Sequence, residues 1–109
     1  MISYQDFEKV DIRLGTIIEV NDFPKAKKKA WQLKIDFGDL GVKNSSAQIT
    51  ELYAKEELLH KQVMAVVNLP VKQIANFFSE CLVLGFSDTQ NRIVLAKADR
   101  KVENGRRLK

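Results

Sequence analysis

Few residues in this sequence have the chemistry of a catalytic or metal centre. There is one cysteine, Cys81, and one histidine, His60. A catalytic thiolate needs a nearby cation or base to lower its pKa. Cys81 sits instead in the apolar run Cys81-Leu82-Val83-Leu84, as a small buried hydrophobe would. A zinc site takes several His or Cys ligands at set spacing, and a serine triad takes a positioned histidine. His60 stands alone in a Lys/Glu-rich stretch and reads as solvated surface. Gly38 and Gly41 are turn glycines, not a phosphate-cradling loop. The sequence therefore reads as a non-enzyme with no metal and no cofactor, although scattered carboxylates leave open a pair assembled in space.

The residues that suit binding are cationic and neutral polar. Lysine attracts phosphate, while Ser, Asn and Gln hydrogen-bond phosphate, ribose hydroxyl or base edge. Three groups stand out. Lys34 alternates with an apolar face, and Lys43, Asn44, Ser45, Ser46 and Gln48 follow it. The run Lys72-Gln73-Ile74-Ala75-Asn76-Phe77-Phe78-Ser79 joins a cation and amides to two adjacent aromatics. In a strand such neighbours point to opposite faces, so one can enter the core while the other stacks on a base. The third group is Lys25, Lys27, Lys28 and Lys29 with the tail cations Arg100, Lys101, Arg106, Arg107 and Lys109. Each group also has a plainer reading: a polar strand edge or helix cap, aromatic core or dimer contacts, and a solvated loop with a frayed end.

The elements that must position these groups are mostly strands. Ser3 and Asp6 have capping-box spacing for a short helix ending near Lys9, and Ile2 and Phe7 suit a hydrophobic staple. Leu14, Thr16, Ile18 and Val20 alternate with Arg13, Gly15, Ile17 and Glu19, which predicts a half-buried strand. After the turn at Asn21-Asp22-Phe23-Pro24, the residues Trp31, Leu33, Ile35 and Phe37 form the clearest apolar face. A third strand is expected near Val42 to Gln48, a short helix over Thr50 to His60, and further strands at Val63–Asn68, Cys81–Phe86 and Ile93–Ala98. Five or six strands with one helix after the third give an all-β class. The layout matches a five-stranded OB-fold Greek-key barrel, a fold that often binds oligonucleotides.

With 109 residues the chain reads as one domain spanning 1–109, and its net charge of +4 is a modest basic excess. Hydrophobic content of 45% and charged content of 29% are ordinary for a globular protein. No run approaches the roughly 20 apolar residues of a membrane helix. The first residues lack a basic start and apolar run, so the expected compartment is the cytoplasm. The aromatic RNA-binding signature of RRM domains is absent.

Taken in order, several stretches resemble the CsaA-type tRNA-binding proteins. These are similar to the C-terminal domain of many methionyl-tRNA synthetases and to endothelial monocyte-activating polypeptide II. The stretches include Phe7-Glu8-Lys9-Val10-Asp11-Ile12-Arg13-Leu14-Gly15-Thr16-Ile17, Leu33-Lys34-Ile35-Asp36-Phe37-Gly38, Lys43-Asn44-Ser45-Ser46-Ala47-Gln48-Ile49-Thr50 and Asn104-Gly105. Gln62-Val63-Met64-Ala65-Val66-Val67-Asn68 and Ser79-Glu80-Cys81-Leu82-Val83-Leu84-Gly85 add to them. The resemblance implies an OB-fold homodimer that binds tRNA, with a chaperone role toward export-destined proteins also described in the family. It implies an RNA groove of Lys34, Asn44, Ser45, Ser46, Gln48, Lys72, Phe77 and Ser79. It places Phe7 and Val10 near a dimer interface and lets Asp11 and Arg13 brace the first strand. On this reading Lys34 and Lys72 matter more to binding than Lys27 and Lys28. The segment Val71-Lys72-Gln73-Ile74-Ala75-Asn76 departs from the family pattern: Gln73 replaces an arginine and Asn76 a glycine.

Overall fold

The computed structural model describes residues 1–109. The chain opens with helix α1 (Tyr4–Glu8), started by the expected capping box. The Ser3 side chain accepts from the Asp6 backbone, and Asp6 accepts from the Ser3 backbone, each at 3.1 Å. Strands β1 (Ile12–Asp22), β2 (Trp31–Asp36) and β3 (Val42–Ala47) follow, then helix α2 (Lys55–Leu58) and β4 (Gln62–Val66). Short strands complete the chain: β5 (Lys72–Ile74), β6 (Phe77–Ser79), β7 (Leu82–Val83), β8 (Gly85–Ser87) and β9 (Ile93–Leu95).

Five strands form one antiparallel sheet in the order β3-β2-β1-β4-β7. The sheet curls so that β3 meets the segment from Ser79 to Cys81. That seam is sewn by few bonds. Glu80 N–H donates to the Asn44 carbonyl at 2.8 Å, and Asn44 N–H to the Glu80 carboxylate at 2.9 Å. Ser46 N–H donates to Ser79 Oγ at 3.0 Å. This nearly closed five-stranded barrel with a helix after the third strand is the OB-fold, as the strand pattern predicts.

The core follows the β2 pattern. Leu33, Ile35 and Phe37 are fully buried and pack with Ile17, Val63, Ala65 and Leu58. Full burial of a side chain of this size stabilises by roughly 1.5–3 kcal/mol. In β1 the inward phase changes along the strand, from Gly15 and Ile17 before the bulge to Val20 beyond it, which packs against the core. Gly15 and Ile17 point inward, whereas Ile18 is exposed. A bulge between Ile17 and Glu19 causes this, since Ile17 pairs with Ile35 and Glu19 with Lys34, leaving Ile18 unpaired. Gly15 leaves room for β2: an added Cβ would lie 2.6 Å from Ile35 and 2.7 Å from Phe37.

The helix expected over Thr50–His60 shrinks to Lys55–Leu58. Its N-terminus is held by Ala54 N–H donating to Glu57 at 3.0 Å, and its buried Leu58 joins the core. His60 then adopts a left-handed φ of 73° while its N–H bonds the Ile17 carbonyl at 2.8 Å. The tail is not frayed. Gly105 and Leu108 donate to Leu14 and Ile12, each at 2.8 Å, so the tail runs beside the start of β1 where β2 has ended. Asp11 and Arg13 brace this corner through a 2.6 Å ion pair, with Arg13 also donating to the Gly105 carbonyl.

Candidate nucleic-acid interface

Strand β3 supplies the floor of the candidate site. Its period of two sends Ser45 and Ala47 into the barrel and Asn44 and Ser46 outward. Across the ladder, Lys34 faces Asn44 and Gln32 faces Ser46. Lys34 and Gln48 are exposed, and Asn44 and Ser46 are half-buried. Ser45, expected among the RNA contacts, is fully buried, and its hydroxyl donates to the Cys81 carbonyl at 2.9 Å. It is a wall residue because it sits on the inward phase of the strand.

The β5–β6 hairpin stands beside this floor. Lys72 pairs with Ser79 and Ile74 with Phe77, while Gln73 pairs with Phe78 on the other face. The two phenylalanines do split as adjacent strand residues must, but in the opposite sense to that expected. Phe77 is half-buried, its ring centroid 5.4 Å from that of the buried Phe23. Phe78 is the open one, at 53% exposure. Phe77 thus packs on Phe23 and keeps only part of its surface accessible. Ser79 serves the seam, accepting from Ser46 N–H and donating to the Cys81 carbonyl at 3.4 Å.

Between this hairpin and the β1–β2 loop lies a groove of about 440 Å³. Lys25, Lys27 and Lys28 line it from the loop, Ser46 from β3 and Gln48 just past its end, and Lys72 from β5. No acidic residue lines it, although the chain has 14. None of these lysines is within ion-pair distance of a carboxylate. The structure thus joins groups that are separate in the sequence, and the loop lysines line the same groove as Lys72. Lys34 stays outside, on the outer face of β2. The OB topology carried a signal for the loop, because the connection after the first strand flanks the β2–β3 face.

A family described as "Putative tRNA binding domain" matches residues 12–107. A CsaA chaperone protein from Picrophilus torridus has 54% sequence identity, full coverage of both chains and a TM-score of 0.94. The chain belongs to the CsaA-type tRNA-binding family. The chaperone CsaA from Bacillus anthracis is 42% identical, covering 100% of this chain and 99% of its own, with a TM-score of 0.94. The methionine–tRNA ligase of Pyrococcus abyssi is 35% identical over 108 residues, which are 99% of this chain and 14% of the ligase. The chain thus spans a small part of the ligases it matches, and the family it belongs to is that of a binding domain.

Within this CsaA-type domain, the departing segment has a local explanation. Gln73 donates its amide to the Ala75 carbonyl at 3.0 Å and so serves the hairpin turn. Ala75 takes a left-handed φ of 54° at that turn. Cys81 lies in the seam with its thiol pushed up to about 11, chiefly by burial. No group of three His, Cys, Asp or Glu residues is placed to hold a metal ion. Of the expected interface residues, Phe7 is half-buried with its ring centroid 6.1 Å from that of the exposed Tyr4, and Val10 is exposed, as is Ile2.

Proposed function

We propose that this domain binds tRNA without catalysis, through the groove between the β1–β2 loop and the β5–β6 hairpin. The observation that carries this reading is the acid-free lining with its unpaired lysines. Lysines so placed displace counterions from phosphate, while Ser46 and Gln48 offer neutral hydrogen bonds. Asn44 and Lys34 extend the polar strip across β2–β3, and Ser79 sits at its edge. Ser45 acts only through the wall it supports. The working compartment on this reading is the cytoplasm, where tRNA is charged and used.

The test is a gel-shift titration of bulk tRNA against duplex DNA across a salt series. Affinity for tRNA should fall steeply with salt, and tRNA should be preferred. Lys72→Gln and Lys27→Gln should each lower the salt slope by about 1, because each removes one phosphate contact. Equal effects are expected now that both line one groove. Binding that is unchanged between low and high salt would sink the reading.

The domain acts as a homodimer on this reading, paired through the apolar side chains around α1, including Phe7 and Val10. Two copies present two grooves and raise avidity for one RNA. Val10→Glu should shift the sedimentation of a dimer to that of a monomer. A second reading, capture of unfolded or export-destined proteins, is favoured by Phe86 at 71% exposure beside its exposed cross-strand partner Val94. Apolar capture persists at high salt, which separates the two readings.

A further inference from the structure

The cationic groove does not end at the hairpin. A second cavity of about 440 Å³ continues from it along the barrel seam, and Ser46, Gln48, Lys72 and Ile74 line both. The character changes across that shared boundary. The seam cavity has no lysine but Lys72, and no acidic residue. Its floor is apolar, with Ala47, Ile49 and Cys81 almost fully buried and Leu82 open at the rim. The cavity lies where the barrel closes through a few bonds, most of them to side chains, instead of a full ladder.

We propose that this seam cavity receives one unpaired nucleobase of the bound RNA. The inference rests on the tRNA reading and adds to it the class of target: a strand with an extruded base rather than an uninterrupted duplex. Three features support it. A base is a flat apolar body with a polar edge, and the cavity has an apolar floor with Gln48, Ser46 and Ser79 around it. Lys72 stands where the two cavities meet, so it can hold the phosphate of the same nucleotide. Charge decides against an apolar peptide as the main occupant, because the only charged groups leading into the cavity are cations that suit a polyanion. A paired base lies inside its stack and cannot enter, whereas a loop base can be splayed out.

The probe is a single-stranded RNA dodecamer carrying one central 2-aminopurine, compared with its blunt duplex and with bulk tRNA. The single strand should bind about tenfold more tightly than the duplex, the value expected for one sequestered base. The 2-aminopurine emission should rise as the base leaves its neighbours. Leu82→Gln, at an exposed rim position, and Ile74→Asn should each abolish the emission change. Circular dichroism confirms that these variants are folded, and Leu82→Gln tests the idea if Ile74→Asn is not. If tRNA binds but strand and duplex bind equally with unchanged emission, the base-pocket inference is overturned and the tRNA reading stands. If neither tRNA nor the oligomer binds, the tRNA reading itself fails. If an unstructured apolar peptide protects the cavity at high salt and the oligomer does not, the occupant is a protein chain and the inference is overturned.

Discussion

At the scale of single residues, the sharpest division lies between Ser45 and its neighbours. Three consecutive polar side chains, Asn44, Ser45 and Ser46, look alike in sequence, yet the strand period gives the middle one to the barrel wall. Ser45→Ala should cost about 1–2 kcal/mol in urea unfolding, because the Cys81 carbonyl loses its best donor. It should leave tRNA affinity nearly unchanged. Gln48→Ala should do the reverse, since its exposed amide lines the groove and supports no fold contact. Cys81 gives a second residue-scale prediction. Its thiol titrates near 11 in the fold, above the ordinary 9.0, because burial disfavours the thiolate. It should therefore resist a disulfide reagent at pH 8 and react rapidly once urea unfolds the chain. The raised pKa fixes the sign of the pH effect. The stability contributed by the protonated thiol is fully present below the unfolded pKa and is lost as pH rises through about 11.

At the scale of elements, β2 was readable and β1 was not. The alternation Trp31-Leu33-Ile35-Phe37 runs unbroken, so its faces follow directly from period two. In β1 both phases carry apolar side chains, and the bulge at Ile18 changes the phase part-way along. The Thr50–His60 stretch reads as longer helix than it forms, because Leu52, Leu58 and Leu59 mimic a stripe while only Leu58 reaches the core. The stretch Cys81–Phe86 reads as one strand but forms two, β7 and β8, and the polar turn after it joins β8 to β9. Asp88 organises that turn by accepting from Arg92 N–H at 2.8 Å and Gln90 N–H at 2.9 Å. The Arg92 backbone bond, foremost, holds the Asp88 carboxyl below its ordinary pKa. A depressed carboxylate contributes stability above its unfolded pKa and loses it as pH falls through the folded value. Asp88→Asn should lower the melting temperature at pH 7, with the gap to the parent protein narrowing as the pH drops below the ordinary 3.8.

At the scale of the whole molecule, the tail is tied back onto the barrel. Asn104 accepts from Thr16 at 2.8 Å and from Gln62 at 3.1 Å, and Gly105 follows with a φ of 90°. A Cβ on Gly105 would lie 2.5 Å from the Phe37 carbonyl oxygen. Gly105→Ala should thus cost about 2–4 kcal/mol, combining left-handed strain with displaced backbone. Urea unfolding measures that loss, and faster exchange of the Leu108 amide would localise it to the tail. The sequence by itself determined the strand-rich class, the β2 core face, the capped first helix and, through ordered motifs, the tRNA-binding family. These are local or cumulative signals, carried by residue spacing along the chain. Which face of β1 is buried, which phenylalanine is open, and the union of Lys25, Lys27, Lys28 and Lys72 were decided only by the tertiary structure. The reason is physical: a bulge changes strand phase without changing composition, and barrel closure brings a loop and a hairpin about 45 residues apart in the chain to opposite walls of one groove.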